Sequence, residues 1–162
     1  MIRHARGADR AGIAAVTIAA FAGPAEAALV ERLRADGDSL FELVACEDDI
    51  VVGHIQFSRL FADRLGLYAA LAPLCVDPAR QRSGIGQRLV RAGLENAKEF
   101  GAHGLLVLGD PAYYGRFGFS APAAAQVRAP YAGHPAFQAL ALEPDAFDQP
   151  LMVAYPGAFD GD

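Results

Sequence analysis

Two cysteines, no tryptophan and no apolar run of membrane length mark this 162-residue chain. Cys46 and Cys75 each lie in an apolar, strand-like stretch, with no CxxC pair and no Cys/His spacing suited to a metal. They read as buried thiols in a reducing compartment, with neither a disulfide framework nor a metal site. No segment reaches the ~18 consecutive apolar residues of a membrane span. The expectation is a soluble, cytoplasmic protein without a membrane partner. A basic stripe is missing too: the formal net charge is −5 and the 14 Lys and Arg residues are scattered, which argues against a nucleic-acid partner. There is no GxxxxGK[ST] phosphate loop. What is present is apolar, 53% of the residues, enough for one globular domain over 1–162 and too little for two ordinary ones.

Near the N-terminus, Arg3, Arg6 and Arg10 followed by AGIAAVTIAAFAG imitate a secretory leader. Asp9 interrupts the basic part, and Ile13, Val16, Ala20 and Phe21 repeat at helical spacing, so an amphipathic helix with Asp9 as N-cap is expected instead. A short strand over 1–6 precedes it, and a second helix over 25–35 follows. Residues 40–47 and 51–60 read as two strands of a hairpin turning at Asp48-Asp49. Residues 68–76 form a third apolar run. Pro73 lacks a ladder N–H and predicts a bulge or a departure from the neighbouring strand there. A helix over 84–100 carries Ile85, Leu89, Ala92, Gly93, Ala97 and Phe100 on one stripe. The uniformly apolar stretch 104–109 suits a strand covered on both faces, giving a parallel strand-helix-strand crossover. Two last strands near 137–142 and 151–155 complete a mixed α/β sheet.

The segment DPARQRSGIGQRLV, 77–90, begins that helix with two glycines one residue apart, flanked by arginines. Free N–H groups and the helix dipole attract anions, and Gly84 and Gly86 let the backbone approach a phosphate. A pyrophosphate-bearing cofactor fits such a start, and so does a helix merely packed closely on its sheet. The dinucleotide fingerprint GxGxxG fails, because its third glycine would fall on Leu89 and Gly84 lies eight residues beyond Val76.

VDPARQRSGIG also resembles the Q/R-x-x-G-x-G/A signature of the GNAT superfamily of N-acetyltransferases, with Gln81 as its first residue. IRHARGADRAGIAAVTIAAF is similar to that family's first strand and helix, VVGHIQFS to its third strand, and GDPAYYGRFGF to the segment after its fifth strand. VLGDPAYY, FGF and YPGAF resemble a bacterial subgroup of small stand-alone members. The resemblance covers most of the chain. It implies an α/β fold with a mixed, mostly antiparallel sheet of six to seven strands, a central parallel β-α-β unit and helices on both faces. It also implies acetyl-CoA as acetyl donor and a small-molecule or peptide amine as acceptor, in a monomer or a homodimer.

By this resemblance Leu74, Cys75 and Val76 line the pantetheine arm, and the Val76 N–H meets the thioester carbonyl. Gln81, Arg82, Ser83, Gly84, Ile85, Gly86 and Gln87 hold the pyrophosphate side, with Asp110 and Tyr114 also contacting the donor. Tyr114, at the tyrosine of Y-x-x-x-G-F, is the expected acid for the leaving thiolate, while Tyr113, four residues before Phe117, suits an aromatic core pair. The chain departs from many relatives at Val107, where they carry an asparagine; Asp110 either takes over part of that role or caps a short helix. His54, Glu42 and Asp110 are open candidates for a general base, and no spacing singles one out. Cys75 reads as a small hydrophobe rather than a nucleophile. The implied activity is direct acetyl transfer to a primary amine in a ternary complex. A non-catalytic acetyl-CoA-binding module and an enzyme acetylating protein N-termini or lysines are the other two classes.

Overall fold

Residues 1–160 are described by the structure, a computed structural model. In chain order they form β1 (Ile2–His4), α1 (Arg10–Phe21), α2 (Ala25–Ala35), β2 (Ser39–Glu47), β3 (Ile50–Arg59), β4 (Phe61–Ala62) and β5 (Leu67–Val76). There follow α3 (Ile85–Glu99), β6 (Ala102–Leu108), α4 (Pro111–Tyr114), β7 (Val127–Arg128), β8 (Phe137–Ala141) and β9 (Leu151–Ala154). Six strands hydrogen-bond in the order β1-β2-β3-β5-β6-β8, and three short ones in the order β4-β9-β7. The pairs β1–β2, β2–β3 and β6–β8 are antiparallel and β5–β6 is parallel, the mixed sheet expected. The chain packs as two units, one of 1–58, 72–95 and 157–160, the other of 59–71 and 96–156.

In the first unit the side chains of β3 alternate between two faces, as any strand's must. Gly53 and Phe57 meet α3: a Cβ on Gly53 would stand 2.9 Å from Leu89 Cδ1, and one on Gly93 would stand 2.5 Å from Phe57 Cε1. The opposite face is covered by α1 and α2, where Ile13, Val30, Val44 and Cys46 form one buried cluster. The hairpin between β2 and β3 turns on Asp48 and Asp49 at φ 51° and 64°, the mirror-image turn that matches strand twist. Asp9 precedes α1 as expected but does not cap it. Its carboxylate accepts from the Arg3 guanidinium at 2.7 and 3.0 Å and from the Arg6 amide at 2.7 Å, tying β1 to the turn before the helix.

Beneath α2 a charge network crosses three elements. Glu42 of β2 accepts from Arg34 Nε and NH2, both at 2.7 Å, and lies 2.8 Å from Nε2 of His54 on β3. Burial alone would raise the Glu42 carboxyl, but the hydrogen bonds from His54 and Arg34 outweigh it and hold the group at about 2.

In the second unit β5 and β6 pair from Leu67↔Ala102 to Ala70↔Leu106. A buried cluster of Tyr68, Leu106, Phe137, Leu151 and Val153 fills its core, and the Tyr68 hydroxyl donates to the Ala146 carbonyl at 2.7 Å. Two readings from sequence change here and one is resolved. Of the last two strands only β8 completes the mixed sheet: it pairs with β6 on one edge and bridges Ser120↔Ala139 on the other, and β9 joins β4 and β7 instead. Pro73 sits inside a continuous β5 whose pairing with β6 ends at Ala70↔Leu106, so of the two outcomes expected there the structure shows the departure from the neighbouring strand and not the bulge. Phe100 falls one residue beyond α3 and is half exposed.

The Glu42 network sets a stability prediction. Glu42→Gln removes the carboxylate and leaves Arg34 and His54 facing an amide, and urea unfolding at pH 7 should register a loss of about 3 kcal/mol. The carboxyl is depressed from an ordinary 4.5 to about 2, so its contribution is complete above pH 4.5 and fades as pH falls toward 2. The gap between wild type and variant should narrow over that same interval; equal stabilities at pH 7 would show that the network contributes nothing.

Candidate active site

The first unit carries the glycine-rich segment between β5 and α3. Asp77 opens it, its carboxylate accepting from the Ala79 amide at 3.1 Å and pairing with Arg80 at 2.6 Å. Arg80 also lies 3.3 Å from Glu47, so this arginine is engaged by two carboxylates. The Gln81 side chain donates to the Val76 carbonyl at 3.2 Å, and the Ser83 hydroxyl donates to the Arg80 carbonyl. Arg82 is exposed and left-handed at φ 66°, and Gly84 adopts φ 86° with no atom within 4 Å of where a Cβ would be. Glycine is thus required at 84 by its backbone angle rather than by crowding. The first helical bond of α3 runs from the Arg88 amide to the Gly84 carbonyl. The amides just ahead of Arg88 have no partner in the preceding turn of the helix, as at any helix start. Ile85 is buried against Gly53, which leaves its amide rather than its side chain for a ligand. Gly86 and Gln87 are half-buried beside it.

At the end of β5, the Asp77 amide donates to the Val52 carbonyl at 2.8 Å. Successive amides along a strand face opposite edges, so those of Val76 and Leu74 face away from β3, while Pro73 has none to offer. The Cys75 side chain points into the core at 4% exposure, 3.6 Å from the Thr17 hydroxyl. Burial pushes its thiol up, against the help of Thr17, as suits a packing residue.

The second unit carries the tyrosines. Asp110 caps α4, accepting from the Ala112 amide at 3.0 Å, so its carboxylate is used as a cap. Tyr113 and Phe117 meet edge-on with centroids 5.5 Å apart, the aromatic pair expected from their spacing, and Arg116 lies over the Tyr113 ring. Tyr114 packs edge-on against Phe119 at 5.9 Å and against Tyr113 itself at 5.1 Å. Burial, with a smaller effect from Tyr113, pushes its hydroxyl up to about 12. Tyr114 is therefore protonated throughout the neutral range, as a proton donor must be. The sequence reading missed what supports it. A Cβ on Gly109 would stand 2.5 Å from Tyr114 Cε2, so the ring lies directly on the Gly109 main chain. The only trace of this in the sequence is a glycine closing an apolar strand five residues before the tyrosine.

The structure therefore brings Leu74, Cys75 and Val76 together with 81–87 in one unit, and Asp110 with Tyr114 in the other. The three candidate bases stand in different surroundings. Glu42 is held at about 2, His54 is wholly buried with Nδ1 lacking a partner among the described residues, and Asp110 is a cap.

Known proteins share this fold. The Escherichia coli K12 protein called uncharacterized N-acetyltransferase YhbS is 38% identical over 143 residues, covering 86% of each chain. The crystal structure of YhbS from Escherichia coli in complex with CoA matches with a TM-score of 0.91 at 36% identity, covering 99% of this chain and 91% of that one. A GNAT family acetyltransferase from Brucella melitensis, solved in complex with acetyl-CoA, matches with a TM-score of 0.83 at 41% identity, covering 99% and 97%. Residues 14–119 fit the model of the acetyltransferase (GNAT) family, and with these relatives across nearly its whole length the chain belongs to that family of acetyltransferases.

Proposed function

We propose that the protein is an N-acetyltransferase that moves the acetyl group of acetyl-CoA to a primary amine by direct attack in a ternary complex, with residues 1–162 acting as one domain. The observation that carries the reading is a half-buried, protonated Tyr114 in a family of acetyltransferases. The YhbS and Brucella relatives, crystallised with CoA and acetyl-CoA, support the choice of donor. The single-domain reading is supported by the unit boundaries, which fall inside β5 and α3 rather than in linkers.

The residues present fit this donor. When bound, acetyl-CoA supplies an acetyl group activated as a thioester. The amides of 82–86 and the exposed Arg82 offer donors and positive charge to a pyrophosphate at the start of α3. The Val76 N–H, aimed away from β3, meets the thioester carbonyl and stabilises the negative charge that develops there during attack. Tyr114 then gives its proton to the departing sulfur, and the proton that the acylated nitrogen sheds, relayed through solvent, restores the phenol. For the acceptor, a cleft of about 420 Å³ in the first unit is lined by Gly12, Ala15, Val16 and Ala19 of α1 together with Asp9, Asp49 and Asp77. Small walls and carboxylates suit a small, partly apolar amine over a bulky protein surface.

Titration calorimetry with acetyl-CoA and separately with NAD, followed by a panel of primary amines monitored by CoA release, tests the reading. Saturable acetyl-CoA binding without an NAD signal supports it; no binding would end it. Tyr114→Phe should lower kcat by about a hundredfold while leaving acetyl-CoA affinity unchanged, and undiminished turnover would remove Tyr114 from the chemistry. Because Tyr114 loses its proton only near 12, the pH profile should show no falling limb from it below about pH 11; kcat/KM should rise and level off with the acceptor's own ionisation. Gly84→Ala forces a side chain onto φ 86° and should weaken acetyl-CoA binding at least tenfold in calorimetry, with the circular dichroism spectrum retained.

A further inference from the structure

We infer that Gln138 is a positioning residue for Tyr114, acting through the peptide that joins Gly109 to Asp110. The inference rests on the reading of Tyr114 as the proton donor. α4 is only four residues long and cannot orient a side chain by its own rigidity. Tyr114 is instead tied twice to the two residues Gly109 and Asp110. Its backbone amide donates to the Asp110 carbonyl at 3.0 Å, and its ring lies where a Gly109 Cβ would be, 2.5 Å from Cε2 and 3.0 Å from Cδ2. A shift of the Gly109 main chain therefore reaches the phenol directly.

That peptide lies just past the end of the β6–β8 ladder, whose last pair is Leu108↔Phe137. One backbone bond continues beyond it, from the Gly109 amide to the Ala136 carbonyl at 3.0 Å. The rest of the grip comes from Gln138, whose Nε2 donates to the Gly109 carbonyl at 3.1 Å and to the Ala136 carbonyl at 3.2 Å. Both partners are carbonyls, which fixes which end of the side-chain amide is nitrogen. A side chain thus supplies the rung that the backbone has stopped providing, and it locks the plane of the peptide on which the ring rests.

Stability alone does not account for a glutamine here. Gln138 pairs across the ladder with Val107 and is 1% exposed, and its Oε1 has no partner among the described residues. A buried carbonyl without a donor is destabilising, a cost that an aliphatic residue at the same place would avoid. The gain from the amide lies in the two donations, one to Gly109 in the segment that carries Tyr114 and one to Ala136, whose carbonyl also receives the Gly109 amide.

The test uses the full chain labelled with 3-fluorotyrosine, the Tyr114 fluorine resonance being assigned by its loss in Tyr114→Phe. Gln138→Met keeps the volume and removes both donations. It should move the Tyr114 resonance while those of Tyr68 and Tyr155 stay in place, and Gly109→Ala, which pushes the ring from the other side, should move the same resonance. With acetyl-CoA and the amine that releases CoA fastest in the panel, Gln138→Met should lower kcat about tenfold and leave the KM for acetyl-CoA unchanged. In a Tyr114→Phe background the same change should cost nothing more. An unmoved Tyr114 resonance in a folded Gln138→Met protein overturns the inference. So does an equal loss of kcat in both backgrounds, which would mark a general structural role. Should Tyr114→Phe itself leave turnover intact, the proton-donor reading falls instead, and the fluorine spectra still decide whether Gln138 holds the ring.

Discussion

A carboxylate enclosed between a helix and a sheet must be neutralised where it stands, and Glu42 meets that demand with Arg34 on one side and His54 on the other. Removing two charges from water is costly, and only close, well-directed hydrogen bonds recover it. The network therefore fixes where α2 lies against β2 and β3, since a small slide of the helix would lengthen both bonds from Arg34. It has a chemical consequence as well. A carboxyl held at about 2 by its partners has little affinity for a further proton, and the imidazole that holds it is fully enclosed. The most conspicuous cluster of titratable groups in the first unit thus belongs to the architecture, which is why the proposed reaction asks nothing of it.

The second unit uses burial in the opposite way. Among the described residues no charged partner favours the Tyr114 phenolate, and loss of water, helped by the neighbouring Tyr113, pushes the hydroxyl up. Its neighbour Tyr113 has Arg116 lying over its ring, and that charge favours the phenolate, opposing the rise that burial causes. Two adjacent tyrosines of one short helix therefore differ in partner and in surroundings. One belongs to an aromatic pair with Phe117, the other rests on a bare stretch of main chain.

Much of this could be read from the sequence, and the reasons differ by element. The 3.6-residue repeat of Ile13 and Val16 and the stripe from Ile85 to Ala97 gave the helices to within a residue or two, because an amphipathic face is written locally. The hairpin at Asp48-Asp49 was legible for the same reason. The separation of β8 from β9 was not, because it depends on Ser120 taking the free edge of β8, a choice between distant segments that no local pattern records. At the candidate site, Gly84 and Gly86 stood out as a motif. Gly109 and Gln138 did not: the first works through an aromatic ring five residues away and the second through two carbonyls on separate segments. Gly84 and Gly109 also do different work, one taking a left-handed backbone angle and the other making room for a ring, and composition cannot separate the two.

The elevated hydroxyl of Tyr114 raises a question of driving force. An acid near 12 would give its proton to an ordinary thiolate of pKa near ~8.5 only against a gradient of several units, each unit about 1.4 kcal/mol. That comparison takes the thiolate in water and the phenol in the protein. A sulfur departing beside a buried phenol loses water too, and desolvation raises a thiol as it raises a phenol. Cys75, buried in this same chain, is pushed up for that reason. Enclosure moves donor and acceptor in the same direction, so the difference that governs transfer changes far less than either value alone. What enclosure does change is the resting state: Tyr114 holds its proton through the neutral and mildly alkaline range, and in the proposed reaction a proton already in place is what the departing thiolate requires.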